Sequence, residues 1–194
     1  MTDAAVLTPN EVAELAGTPI RLIEKAIEER ILSVRFGLSP AMPQRSRRLL
    51  PAYSVVYAAA VAGLELKLSI AHKKELARGI AKSPHGKRVT IAPAVEIDVG
   101  RLVGDALERT EKYRAARDAF IVVDNEVMGG TPVIRDTRMT VYSVLGRVKH
   151  GESIDDILED NPDLSRAAIE AAVVYARTHP LVGRPGGRSW ADGR

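Results

Sequence analysis

The 194 residues include no cysteine, two phenylalanines and one tryptophan, and no apolar run approaches the ~20 residues that carry a helix across a bilayer. Without cysteine there are no disulfides, thiolate zinc sites or cysteine nucleophiles, which suits a reducing compartment. With aromatics at 4%, cores must come from Leu, Ile, Val and Ala, so small alanine-rich helical cores are expected. Met1-Thr2-Asp3 lacks the basic-then-apolar layout of a signal peptide. The expectation is a cytoplasmic protein with no membrane partner. His72, His85, His150 and His179 show no metal-ligand spacing, and no Ser–His–Asp grouping stands out. No catalytic site, metal or cofactor is therefore expected.

What is present is charge, unevenly placed. From Arg35 to Arg88 there are eleven Lys or Arg against two Glu, whereas Glu152 to Glu170 holds seven acids against Arg166 alone. Segments of opposite sign suggest different partners, and a polyanion such as DNA fits the first. The acids Asp155, Asp156, Glu159, Asp160 and Asp163 sit in early helical turns or beside a cap, where they suit the helix dipole better than a metal.

Thr8-Pro9-Asn10-Glu11 is a capping box with proline at the first helical position. Gly17 ends that helix, Thr18-Pro19 begins the next, and Ile20, Ile23, Ile27 and Ile31 recur at helical spacing. Two short helices across a glycine turn make a helix-turn-helix. Val34-Arg35-Phe36 and Arg47-Arg48-Leu49-Leu50 flank a Gly/Pro loop as the strands of a wing. Helices follow from Pro51 and from Ser69, then strands at Val89–Ile91 and Val95–Val99, and a polar helix from Arg101 to Arg117. Beyond Phe120-Ile121-Val122-Val123, a strand, Thr140, Ser153 and Ser165 cap three short helices.

The fold class is thus mainly α: an N-terminal winged helix-turn-helix, a C-terminal tri-helical helix-turn-helix-like domain, and short β strands in wing and linker. Expected boundaries are 1–84 for the winged helix, 85–118 for a linker with short strands and a helix, and 119–182 for the tri-helical domain. A flexible basic tail, 183–194, has no periodicity and cannot fold alone.

On the outer side of the second helix, Arg21 and Lys25 are placed to enter a major groove, while Glu24 and Glu28 repel phosphate. Arg35, Arg45, Arg47 and Arg48 have no acidic neighbours within the wing and suit phosphate contacts. Further on, Gly129 and Gly130 can take backbone angles closed to other residues, and Pro132 stiffens the exit. Arg135 and Arg138, flanking Asp136, are read as braces of that loop through Asp124, Glu126 or Asp136.

Two resemblances join this reading. Leu7 to Leu32, continuing to about Ile80, resembles the winged-helix domain of MerR-type regulators in Val12, Ala13, Leu15, Ala16, Gly17, Arg21, Ile23, Ile31 and Leu32. Arg21 falls where that family has a DNA-contacting arginine, Glu24 where it often has a second, and Arg30 where it has glycine. Val123 to Val141, with Gly151–Ile154, Asn161–Leu164 and Ala171–Ala176, resembles a small antitoxin-associated domain catalogued as domain-of-unknown-function family 433. Asp136 stands where that domain more often has glycine. The resemblance implies a helix-turn-helix-like fold, often encoded beside PIN-like ribonuclease toxins.

Together the parts resemble VapB-type antitoxins of type II toxin–antitoxin modules. Such a protein is expected to bind operator DNA as a homodimer and to neutralise its cognate PIN-like ribonuclease toxin. Arg184 and Arg188 of the tail would pair with the nuclease's carboxylates, with Trp190 as anchor. The alternatives are a stand-alone MerR-like regulator responding to a small ligand, and a nuclease.

Overall fold

The computed structural model describes residues 6–39 and 42–181. Among these the chain is mainly helical, with three two-stranded antiparallel sheets. Helix α1, Pro9–Ala16, starts from the expected capping box: Thr8 N–H donates to Glu11 Oε2 at 2.7 Å, and Glu11 N–H donates to Thr8 Oγ1 at 3.3 Å. Gly17 closes it at φ 63°, and α2, Ile20–Glu28, follows at once. Ile23 and Ala26 are buried, whereas Ile20, the first of the isoleucine series, lies exposed at the start of α2.

The chain leaves α2 through Arg30 at φ 53°, then turns Ile31 and Leu32 into the core. A left-handed non-glycine residue costs about 1–2 kcal/mol, partly offset by the lower entropy of its unfolded chain. Arg30 is exposed and makes no ion pair among the described residues. Arg30→Gly is therefore expected to stabilise the protein by about 0.5–1 kcal/mol, read as a higher urea midpoint.

Strands β1, Arg35–Ser39, and β2, Met42–Leu49, form the hairpin beside α2, with Arg35 opposite Leu49, Phe36 opposite Arg48 and Gly37 opposite Arg47. Leu7 bridges Leu50 and ties the hairpin's base to the start of α1. Helix α3, Tyr53–Gly63, is buried on most sides, as Val55, Val56, Tyr57, Ala58 and Ala60 require. Helix α4, Ile70–Lys82, turns Leu76, Ala77 and Ile80 inward and packs on β3, Arg88–Ala92, which pairs with β4, Val95–Asp98.

That packing depends on Gly79. A Cβ there would run into Val89 Cγ1, and Val89 is a buried, β-branched side chain that cannot swing clear. Alanine gains about 1 kcal/mol of helix propensity, but overpacking costs about 1–3 kcal/mol. Gly79→Ala is expected to be net destabilising in urea unfolding, and Val89→Ala in the same chain should remove the clash and restore the propensity gain.

The helix expected from Arg101 to Arg117 is instead two. Helices α5, Val99–Val103, and α6, Ala106–Phe120, are separated at Gly104, whose φ 52°, ψ −126° breaks the helical path. Along α6, Ala106, Thr110, Tyr113, Ala116 and Arg117 point inward and join the core under α1 and α3.

A second core lies beyond. Strands β5, Ile121–Val122, and β6, Val133–Ile134, pair antiparallel. Helices α7, Val141–Lys149, α8, Ile154–Asp160, and α9, Arg166–Thr178, enclose Val144, Leu145, Ile157, Ile169 and Ala172. Thr140, Ser153 and Ser165 each accept a backbone N–H three residues on, as read from sequence. Helix α9 belongs to both cores: it packs on α7 and α8, and also on α6 and α1. No described helix is long and apolar enough to cross a membrane.

Candidate nucleic-acid interface

The outer face of α2 carries Arg21, Lys25 and Glu28, all exposed or nearly so. Arg21 has no ion-pair partner among the described residues, and Lys25 Nζ sits a loose 3.8 Å from Glu29 Oε1. Arg35 is exposed at the start of β1. Arg45 falls on β2, but its side chain lies outside the described residues.

Arg48 behaves differently from the expectation for the wing. The hairpin supplies no acid of its own, yet α2 does: Arg48 Nη1 donates to Glu24 Oε2 and Nη2 to Oε1, both at 2.8 Å. This is a fork-to-fork pair, the strongest geometry open to Arg and carboxylate. It fixes the hairpin against α2 and neutralises one wing cation. Arg47 is half-buried and borders the same hollow as Glu24, Arg48 and Asn10. Its charge also lowers the titration of Tyr142, Tyr175 and His179, against the larger effect of burial on the two tyrosines. Of the expected cations whose side chains are described, Arg21, Lys25 and Arg35 are thus the ones left exposed. Beside them, Phe36 is 77% and Leu38 62% exposed, two apart on β1 and so on one face, a feature the sequence reading missed.

Beneath this surface lies a buried charge cluster. Glu11 and Arg117 are 0% and 1% exposed, with Arg117 Nη1 donating to Glu11 Oε1 at 2.9 Å. Tyr113 Oη donates to the same oxygen at 2.7 Å, and Arg117 also donates to Val6 O and Asp118 Oδ1. Burial pushes the Glu11 carboxyl up, but Arg117, His179 and the Thr8 N–H outweigh it and hold the group below the ordinary carboxylate range. Burial pushes His179 below the ordinary imidazole value.

The end of α9 grips α1 as well. Asn10 Nδ2 donates to Thr178 O at 3.2 Å, Arg177 Nη1 to Glu14 Oε1 at 3.1 Å, and Tyr142 Oη to His179 O at 2.7 Å. Glu11 was legible only as a cap. Arg117's place on the stripe Ala106, Thr110, Tyr113 marks an inward-facing position, though not the residue it meets.

The signature loop is held differently from the expectation. Gly129 and Gly130 adopt φ 62° and 79°, and Asp136 is left-handed at φ 61°. Pro132 O accepts the N–H of Val141, and Val133 bridges Thr140, which joins the loop to the start of α7. Arg135 braces the loop through a carbonyl, donating from Nε to Ala119 O at 2.6 Å, rather than through a carboxylate. Arg138 is exposed, and neither arginine forms an ion pair among the described residues. Within the acidic run, Asp156 caps α8 with Ser153, Asp155 pairs with Arg166, and Asp160 with Arg147. Arg184, Arg188 and Trp190 lie outside the described residues.

The described chain is therefore a mainly helical protein with a helix-turn-helix, an adjoining hairpin and a capped three-helix unit. Residues 121–176 match the family described as "Protein of unknown function (DUF433)", so this part of the chain is similar to that family. An uncharacterised protein, y4eO, of Sinorhizobium fredii (strain NBRC 101917 / NGR234) is 39% identical over 88 residues, 45% of this chain and 39% of that protein. The chain thus spans well under half the length of that curated relative. Among solved structures, Rv2018 from Mycobacterium tuberculosis aligns over 88% of this chain and 98% of its own at 14% identity, with a TM-score of 0.36. A likeness that weak says nothing further about this chain.

Proposed function

We propose that this protein is the antitoxin of a type II toxin–antitoxin module: a homodimer that binds its own operator and neutralises a PIN-like ribonuclease. The observation that carries the reading is the α1–Gly17–α2 unit with the β1–β2 hairpin beside it, which together hold Arg21, Lys25 and Arg35 open to solvent. Such a face meets phosphates through its cations and base edges through the start of α2. The toxin half of the reading rests on the resemblance of Val123 to Val141 to antitoxin-associated domains, within residues 121–176, which match a family described only as of unknown function. The basic segment 183–194 is the proposed toxin ligand, its guanidinium groups matched to a carboxylate-lined nuclease centre.

Fluorescence anisotropy with the DNA upstream of the gene tests the operator half. The full chain should bind that duplex at least ~10³-fold more tightly than unrelated DNA of equal length, with affinity falling steeply as salt rises. Equal affinity for both duplexes would remove the repressor role.

A further inference from the structure

Between α6 and α9 opens a hollow of about 590 Å³. Leu15, Tyr113, Phe120 and Val174 give it an apolar floor. Its lips are alanines: Ala115 and Ala119, one turn apart on α6, and Ala167 on α9, all exposed. Elsewhere the exposed positions of α6 are mostly charged, among them Glu108, Arg109, Glu111, Lys112 and Asp118. Small residues gathered at an apolar groove let another helix approach closely, because they raise no ridge against it.

The rim narrows the choice of occupant. Arg109 and Lys112 stand on the α6 side and Glu170 on the α9 side. The intrahelical partners of the two cations, Asp105 and Glu108, are not part of the lining. A two-fold axis through the groove would bring Arg109 and Lys112 of one copy to Glu170 of the other, the same acid that acts on Lys112 within one copy. That self-complementarity is what an isologous interface requires. None of the lining residues comes from α2 or the β1–β2 hairpin.

We propose that this groove seats a second copy of the chain, with α6 and α9 of each protomer packed against α9 and α6 of the other. The inference deepens the operator reading, which calls for a two-fold dimer, and rests on it for its purpose. Its test needs neither DNA nor toxin.

Sedimentation velocity on the full chain, from about 1 to 100 µM, resolves a dimer of micromolar affinity or better. The wild type should be dimeric at the upper end. Ala115→Glu, at an exposed position that a helix tolerates, should weaken association roughly tenfold or more by placing a charge in the apolar seam. Ala167→Glu on the opposite wall reads the same effect if the first variant folds poorly by circular dichroism. Lys112→Glu and Glu170→Lys should each weaken association roughly fivefold, since each ion pair is made twice. An equimolar mixture of these two single variants should associate like the wild type, as only a reciprocal Lys112–Glu170 contact allows.

A monomeric wild type, a dimer indifferent to Ala115→Glu and Ala167→Glu, or a mixture no tighter than its components would overturn the proposal. A dimer that ignores DNA would retire the operator reading and leave this one standing. A monomer that binds the operator would do the reverse.

Discussion

Arg117→Met is expected to destabilise the folded chain by about 3–5 kcal/mol, because it strands a buried carboxylate. Glu11 is fully buried and accepts from Arg117, Tyr113 and the Thr8 N–H. With the guanidinium gone, burial dominates its titration and the carboxyl moves from below the ordinary range to above it.

In the wild type a lowered Glu11 stabilises the fold above the ordinary carboxylate range, and that contribution is lost as pH falls through the folded value. In Arg117→Met the raised carboxyl stabilises only where it is protonated, so stability is lost as pH rises. The gap between variant and wild type should therefore narrow on acidification from pH 7 towards about pH 4. Urea unfolding across that range reads both the size and the trend. A pH-independent gap would assign the loss to packing alone. Adding Glu11→Gln should recover part of the loss, with a coupling of about 1–3 kcal/mol between the two sites.

The second large effect is on DNA. Arg21→Ala with Lys25→Ala should weaken binding to the upstream duplex about 10–100-fold near 0.1 M salt. The slope of log K against log salt should shrink by about 2, one for each phosphate no longer neutralised. Glu24→Gln should act the other way. It breaks the fork that holds Arg48 and removes a charge that repels phosphate. Affinity should rise severalfold and the salt slope steepen by about 1. Unchanged slopes in both variants would place the DNA on some other face.

Local signals in the sequence were legible because local physics decides them. The caps at Thr8, Thr140, Ser153 and Ser165 satisfy N–H groups that no helix can satisfy internally. The two positions where the resemblances lacked an expected glycine, Arg30 and Asp136, are both left-handed. The backbone path is kept there without the residue that adopts it most cheaply.

What escaped was long-range. The break at Gly104 needed more than a glycine in a charged stretch, since glycine alone is tolerated within helices. The Glu11–Arg117 pair joins residues 106 apart in sequence, and the Glu24–Arg48 fork joins a helix to a hairpin. No periodicity within one element reveals a partner in another. The hollow between α6 and α9 was hidden for the same reason, since each helix contributes only half of it.

The antitoxin role meets its most direct test in growth. Expressed alone, the nuclease proposed for the neighbouring reading frame should arrest growth, and the full chain supplied with it should restore growth and co-purify with it. The chain lacking residues 183–194 should fail to restore growth while still binding the upstream DNA. Arrest that continues in the presence of the full chain would contradict the antitoxin role.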